Sequence, residues 1–182
     1  MKLSIGLTTL SIVISAFAYA VVFPVVFGLL AVGIDRMFDL PSLFGPPLST
    51  ILTAAFWLVG VFWVLWAYSY LLFVGGGSPV EAFGFALEPT KQLVTTGPYM
   101  YTRNPMIFGL LWILTGVAML LESMGGLILL PITAIILLIY LKLFEEPHLA
   151  RRFGREYEHY RLHVPLLFPR LVSYIKPTSV ES

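Results

Sequence analysis

The chain alternates long apolar stretches with short polar segments. Residues 3 to 34, 48 to 74 and 105 to 121 carry no charged side chain, and residues 127 to 144 carry only Lys142. A helix needs about 20 apolar residues to cross a bilayer core about 30 Å thick. We therefore predict an all-α integral membrane protein with about four transmembrane helices. A fifth would arise if the long first stretch is split, and Pro24 favours a local distortion there.

The last two predicted spans are separated by residues 122 to 126, Glu-Ser-Met-Gly-Gly, which predict a tight turn. These spans should form a transmembrane helical hairpin, whose two crossings return the chain to the face from which it started. Apolar residues then recur every three or four positions from residue 147 to 164, which predicts one amphipathic C-terminal helix that lies on the membrane or caps the bundle. Its apolar face consists of Leu149, Phe153, Tyr157, Tyr160 and Val164.

The basic residues predict the orientation of the spans. Four crossings place both termini, residues 75 to 104 and residues 142 to 182 on one side of the membrane. Of the 11 Lys and Arg residues, all except Arg36 belong to that side. Basic residues concentrate in cytoplasmic loops, so we predict that this side is cytoplasmic.

Composition excludes several classes of protein. Hydrophobic residues make up 58% of the chain and charged residues 12%, about half the charged fraction of a soluble domain, which excludes a soluble enzyme. The net charge of +1 with no basic tract argues against nucleic-acid binding. The absence of Cys excludes a thiolate zinc site and a cysteine nucleophile. His148, His159 and His163 lie within no zinc signature, so no metal site is predicted.

Two polar segments remain as candidates for chemistry. In the first, Gly97 and Pro98 mark a turn, and Pro105 suits the first position of the third span. The second begins with Glu145 and Glu146, which should lie at the C-terminal end of the fourth span, where the helix dipole is already negative. We expect a cation to neutralise them. The candidates are a bound cationic ligand or the nearby side chains of Lys142, Arg151 and Arg152.

These two segments together resemble the isoprenylcysteine carboxyl methyltransferase family of membrane enzymes. The resemblance covers roughly residues 91 to 169, and the order of its motifs across a hairpin makes it more specific than any single piece. The matching motifs are Leu93-Val94-Thr95-Thr96-Gly97-Pro98-Tyr99, Arg103-Asn104-Pro105 with Gly109, Glu145-Glu146, Phe153-Gly154-Arg155-Glu156-Tyr157-Glu158-His159-Tyr160, and Val164-Pro165 with Pro169. Eukaryotic members typically have Arg-His-Pro where this chain has Arg103-Asn104-Pro105. Unlike His, Asn does not titrate near neutral pH, so Asn104 could not serve as an acid or a base.

The resemblance implies methyl transfer from S-adenosylmethionine to a lipophilic acceptor that enters from the bilayer, with membrane lipids as the other partners. It implies cofactor-binding roles for Leu93, Val94, Gly97, Tyr99, Asn104, Pro105, Glu145, Tyr157 and Tyr160. Arg103 would orient an acceptor carboxylate such as that of a prenylcysteine-like group. Glu146 is the nearest base if the acceptor is instead the amine of a phospholipid.

Two other interpretations stay open on the sequence. A sterol-reductase-like protein with a similar segment would bind NADPH, and a non-catalytic scaffold would keep the helices without chemistry. Within one membrane domain, residues 1 to 74 would provide the N-terminal spans. Residues 75 to 182 would form the methyltransferase-like region, with cofactor loop, hairpin and C-terminal cap.

Overall fold

A computed structural model describes residues 13, 14, 16–76, 81, 82, 85, 86, 90–170 and 172. It confirms the all-α prediction. The helices are α1 (Phe23–Phe38), α2 (Leu48–Phe73), α3 (Pro105–Leu120), α4 (Met124–Tyr140), α5 (Glu146–Phe153) and α6 (Arg155–His163). A π-helical turn, Ala18–Val22, precedes α1, a second one, Leu141–Glu145, joins α4 to α5, and a 3₁₀ turn, Gly97–Met100, precedes α3. Strands β1 (Glu81–Ala82) and β2 (Phe85–Ala86) form a short antiparallel pair.

Among the described residues, three helical stretches are long and apolar enough to cross a bilayer: Ala18–Phe38, Leu48–Phe73 and Met124–Phe153. The first is one continuous helix, and the distortion expected near Pro24 takes the form of the π turn that ends two residues before it. The beginning of the predicted first span, with Lys2, and the end of the chain, with Lys176, lie outside the described residues.

The predicted third span, α3, is 16 residues long, which is shorter than a lipid-exposed span requires. It is the most buried of the long helices and packs closely on α2. A Cβ added to Gly60 would lie 2.7 Å from the carbonyl oxygen of Gly109, and one added to Gly109 would lie 2.8 Å from that of Gly60. Two glycines facing each other let the helix backbones touch, as in many membrane helix pairs. The other helices therefore shield α3 from lipid.

The hairpin between α3 and α4 is confirmed, with a shorter turn than expected. The hydroxyl of Ser123 accepts the backbone N–H of Gly126 at 2.8 Å and so caps α4. Because of this cap, residues 124 to 126 form the first turn of the helix, although the sequence placed them in the connection.

One end of the bundle brings together the α1–α2 connection and the hairpin turn. The backbone N–H of Leu43 donates to the carbonyl of Glu122 at 2.9 Å. The carboxylate of Asp35 accepts the N–H of Gly125 at 2.6 Å. Residues 39–47 and 121–123 thus lie together at the end opposite the loop that precedes α3, as the four-span topology predicts.

The prediction of one continuous amphipathic helix from 147 to 164 is wrong at one residue. Gly154 has φ +53°, which is not a helical conformation, and it separates α5 from α6. Residues with a side chain rarely adopt this conformation, which explains why a glycine occupies the break. The apolar spacing continued across the glycine and concealed the break. The predicted apolar face still forms, since Tyr157, Tyr160 and Val164 make a buried cluster on which Leu149 and Phe153 pack.

Candidate active site

The adjacent carboxylates Glu145 and Glu146 lie inside a longer helical stretch, so the expectation that they lie at a helix C-terminus is wrong. The chain passes through the π turn directly into α5, and Pro147 is the second residue of α5. A proline lacks the N–H that an inner turn requires, and a wide turn before it accommodates that loss. The helix dipole therefore does not act against these carboxylates.

Glu146 forms an ion pair with Arg103, which lies just before α3. Nη1 of Arg103 donates to Oε1 of Glu146, and the two side chains are only 10% and 13% exposed. The same nitrogen lies 3.5 Å from the hydroxyl of Tyr157. This arrangement joins both predicted catalytic residues in one contact between the two polar segments.

Glu146 is thus paired with a cation that was not among the basic residues expected from the sequence. Arg152, one of the basic residues considered, instead donates to the backbone carbonyl of Thr90. The hairpin brings Arg103 to the carboxylate from a distant position in the chain, whereas the sequence favoured neighbours on the same helix.

One hydrogen-bond donor of the Arg103 guanidinium has no acceptor in the described part of the chain. Its Nε is buried and has no hydrogen-bond partner among the described residues. Such a donor costs about 1–3 kcal/mol when nothing accepts its proton. An anionic or carbonyl group of a ligand would satisfy it.

The loop that carries Arg103 is fixed by hydrogen bonds to the segment after α6. The N–H of Arg103 donates to the carbonyl of Pro165 at 2.9 Å. The hydroxyl of Thr102 donates to the carbonyl of Leu167, and the amide nitrogen of Asn104 to that of Leu166, each at 2.9 Å. The side chain of Asn104 thus holds the loop. Pro105 begins α3, as predicted, and is buried.

Two buried tyrosines connect the loop to α6. The hydroxyl of Tyr160 donates to the backbone carbonyl of Tyr99 at 2.7 Å. Burial, together with the negative charge of neighbouring groups, raises the pKa of Tyr99 well above its usual value. Burial and then Glu146 raise the pKa of Tyr157 to about 12, although Arg103 opposes this shift. Both phenols therefore stay protonated at neutral pH and do not act as bases.

The first half of the loop rests on the end of α2. Gly97 has φ +61°, and a Cβ there would lie 2.4 Å from Cζ of Tyr70. Val94 is buried in a cluster with Tyr99, while Leu93 packs on the cluster that contains Tyr157. The predicted cofactor residues of this loop thus touch both α2 and the C-terminal helices.

Sequence reasoning missed Tyr19, which lies in the first π turn. Tyr19 packs against the cluster that contains Val94 and Tyr99. Glu145 contributes to the raised pKa of both Tyr99 and Tyr157, so both carboxylates act on Tyr157. A signal was present, because Tyr19 is the only tyrosine between residues 3 and 34.

The structure thus brings most of the predicted residues to one end of the bundle. Arg103, Glu146 and Tyr157 form one group, and the hydrogen bond from Tyr160 to Tyr99 joins the loop to α6 beside it. In the described ranges, no group of three or more His, Cys, Asp or Glu side chains could hold a metal ion.

The sequence of the chain matches one known protein family. The family model described as phospholipid methyltransferase matches residues 48–156, from the start of α2 into α6. The match includes Arg103, Glu145 and Glu146. The match supports the wider group of membrane methyltransferases that the motifs indicated. It does not identify the chain as a member of the isoprenylcysteine carboxyl methyltransferase family. No significant match is found among curated proteins or among solved structures. Because the match spans more than half of its length, the chain belongs to the phospholipid methyltransferase family, as an integral membrane protein.

Proposed function

We propose that the protein transfers a methyl group from S-adenosylmethionine to a lipophilic acceptor that reaches the site from the bilayer. The observation that carries the proposal is the buried group of Arg103 and Glu146, with an unsatisfied Nε on the arginine. The family membership supports the reaction class. By the basic-residue asymmetry of the sequence, the site faces the cytoplasm, where a soluble cofactor is available.

The charges of the site fit those of S-adenosylmethionine. This cofactor carries a carboxylate and an ammonium at its aminoacyl end, and a cationic sulfonium. Backbone N–H groups between Val94 and Tyr99 suit the carboxylate, since hydrogen bonds to a charged acceptor are strong. Glu145, the last residue of the π turn and the neighbour of Glu146, suits a positive group. The apolar side chains of Leu93 and Val94 and the tyrosine rings offer packing for the adenine.

When bound, the cofactor supplies an electrophilic methyl group on its sulfonium sulfur. The protein has to hold the acceptor in line with that methyl group and exclude water. The hydrogen bonds from the loop to Pro165, Leu166 and Leu167 keep the loop rigid. Tyr99 and Tyr157, protonated at neutral pH, provide hydroxyl donors that do not compete with the acceptor as nucleophiles.

An amine acceptor, as in a phospholipid head group, is the first candidate. An ammonium group is attracted by carboxylates, and Glu145 and Glu146 are adjacent. The amine must lose a proton before it attacks, and we infer that Glu146 takes it. The nitrogen–methyl bond then forms as the sulfur–methyl bond breaks, which leaves a neutral thioether. The family match favours this candidate.

A carboxylate acceptor of the prenylcysteine type is the second candidate, and the motif resemblance favours it. A carboxylate needs no base, because it is already the nucleophile. It would bind Arg103, whose Nη1 is occupied by Glu146 but whose Nε is available. The same methyl transfer then forms an ester.

Binding and transfer assays with the full-length protein test both levels of the proposal. The detergent-purified protein should bind S-adenosylmethionine and not NADPH in calorimetric titrations. In proteoliposomes, a radiolabelled methyl group should move to phosphatidylethanolamine more readily than to farnesylcysteine. NADPH binding would instead support a reductase, and binding of neither cofactor would support a scaffold. Preferential labelling of farnesylcysteine would select the carboxylate acceptor.

A further inference from the structure

An apolar groove lies on the outside of the bundle, next to the candidate active site. Its volume is about 410 Å³. One wall consists of the last part of α4 and Lys142 of the following π turn. The other wall is the segment after α6. The lining residues are Ile135, Leu138, Ile139, Lys142, Pro165, Leu166, Leu167 and Phe168.

The wall formed by residues 165–168 is held in place by the loop of the active site. The carbonyl of Leu166 accepts the side chain of Asn104, and that of Pro165 accepts the backbone N–H of Arg103. The segment 165–168 thus forms a wall of the groove and also holds the loop that carries Arg103.

Lys142 is the one charged residue of the lining. It is exposed, and the described part of the chain gives it no hydrogen bond or ion pair. It lies four residues before Glu146, about one wide helical turn, in the π turn that leads into α5. A cation at the end of an apolar groove, near the membrane surface, complements an anion attached to a hydrocarbon chain.

We propose that this groove binds one acyl chain of a membrane phospholipid and that Lys142 binds its phosphate. The occupant is the acceptor, so this inference rests on the proposed function. A head group with two carbons between phosphate and amine spans a distance similar to one helical turn. Its amine therefore reaches the level of Glu146 when its phosphate lies at Lys142. An isoprenoid chain would fill the groove equally well but leaves the lysine without a phosphate.

Native mass spectrometry of the detergent-purified full-length protein, without S-adenosylmethionine, tests the site. Two lipids with the same acyl chains are titrated: a phosphatidylethanolamine and a diacylglycerol that lacks the phosphate. Lys142→Gln should weaken phosphatidylethanolamine binding by about tenfold, since a charge-assisted bond is lost. It should leave the weaker diacylglycerol binding unchanged. Ile139→Trp should weaken the binding of both lipids, because the indole fills the groove.

Two variants provide matched controls. Lys91→Gln removes an exposed lysine outside the groove, and Ile136→Trp places an indole on the same helix at a residue that does not line it. Both should bind both lipids like the natural sequence.

Three outcomes would overturn the proposal. These are unchanged phosphatidylethanolamine binding in Lys142→Gln, an equal loss in Lys91→Gln, or displacement of the phospholipid by farnesylcysteine at equal concentration. Cofactor titration separates this result from the proposed function. If the lipid results hold while S-adenosylmethionine does not bind, the groove stands and methyl transfer fails. If the cofactor binds while Lys142→Gln has no effect, the groove proposal alone fails.

Discussion

Arg103 and Glu146 are 43 positions apart in the chain and form an ion pair that is almost withdrawn from solvent. The pair connects the loop before α3 with the helical stretch that follows α4. It exists only because the hairpin returns the chain to the end from which it started. Both residues belong to the motifs that suggested methyl transfer, so the same contact stabilises the fold and defines the candidate site.

Arg103→Lys should lower turnover while the affinity for S-adenosylmethionine falls much less. A lysine keeps the charge opposite Glu146 but lacks Nε and the planar fork. We expect turnover to fall about tenfold to a hundredfold, equivalent to about 1.4–2.8 kcal/mol of transition-state stabilisation. Initial rates and calorimetric cofactor titrations on the same preparation measure the two effects. Unchanged turnover would make Arg103 a structural anchor, and lost cofactor binding with normal chemistry would place it in the cofactor site.

Glu145→Gln and Glu146→Gln should differ in their effects. Glu146→Gln removes the counter-charge of a nearly buried guanidinium, so we expect a clear loss of thermal stability as well as of activity. Glu145→Gln should mainly weaken cofactor binding, by about tenfold or more for one charge-assisted bond. Melting curves with and without S-adenosylmethionine compare the two variants.

Glu122→Gln, at the opposite end of the bundle, is the control for these substitutions. Its carboxylate accepts the hydroxyl of Ser49 at 3.1 Å, and it should bind the cofactor normally. If Glu145→Gln behaves like this control in cofactor binding, Glu145 has no part in the site.

Gly97→Ala should destabilise the protein and abolish activity. The methyl group would lie 2.4 Å from the ring of Tyr70, on a backbone with φ +61°. We expect a loss of about 1–3 kcal/mol, since both overpacking and an unfavourable backbone conformation contribute. Thermal unfolding in detergent measures the loss. Gly33→Ala is the matched control, because a Cβ there meets nothing within 4 Å, and equal stability of the two variants would contradict the contact with Tyr70.

The stability of the protein should fall in alkaline solution partly because of Tyr157. Its pKa in the folded protein is raised to about 12 from the ordinary value of 10.0. Between these values the unfolded chain has released the proton and the folded chain retains it, so stability decreases as pH rises. The contribution is complete below pH 10 and is lost above pH 12. Melting temperatures measured from pH 9 to 12 should fall less steeply in Tyr157→Phe, and an identical slope would contradict the raised pKa.

The absence of Cys in the chain makes single-cysteine labelling a direct test of orientation. Thr96→Cys and Arg151→Cys introduce exposed thiols at the active-site end, and Gly45→Cys does so at the other end. In intact cells, a membrane-impermeant maleimide should label only Gly45→Cys if the site faces the cytoplasm. Labelling of Thr96→Cys and Arg151→Cys from outside would reverse the orientation. Labelling of only one of these two would contradict the hairpin.

The sequence predicted the hairpin well because uncharged length is a local signal. It placed the start of α4 three residues too late, because the cap that Ser123 provides was not considered. The pairing of Arg103 with Glu146 was not accessible in the same way, because it depends on how two helices pack. Tyr19 is the only tyrosine of its apolar stretch, but its contact with the cluster of Val94 and Tyr99 also depends on helix packing, which the sequence does not reveal. The break at Gly154 stayed hidden because the apolar spacing continued across it.

The π turn Leu141–Glu145 rotates the residues that follow it about the helix axis, relative to the positions they would have in a regular α-helix. A wide turn adds one residue to a regular helix, and each residue advances the helix by about 100°. Deleting one residue of this turn would leave α4 in its place among the apolar helices. It would rotate α5 and everything after it by about that angle and carry Glu146 away from Arg103. The one extra residue of the π turn thus sets the direction in which the two carboxylates point. This direction does not depend on the apolar face with which α4 packs in the membrane.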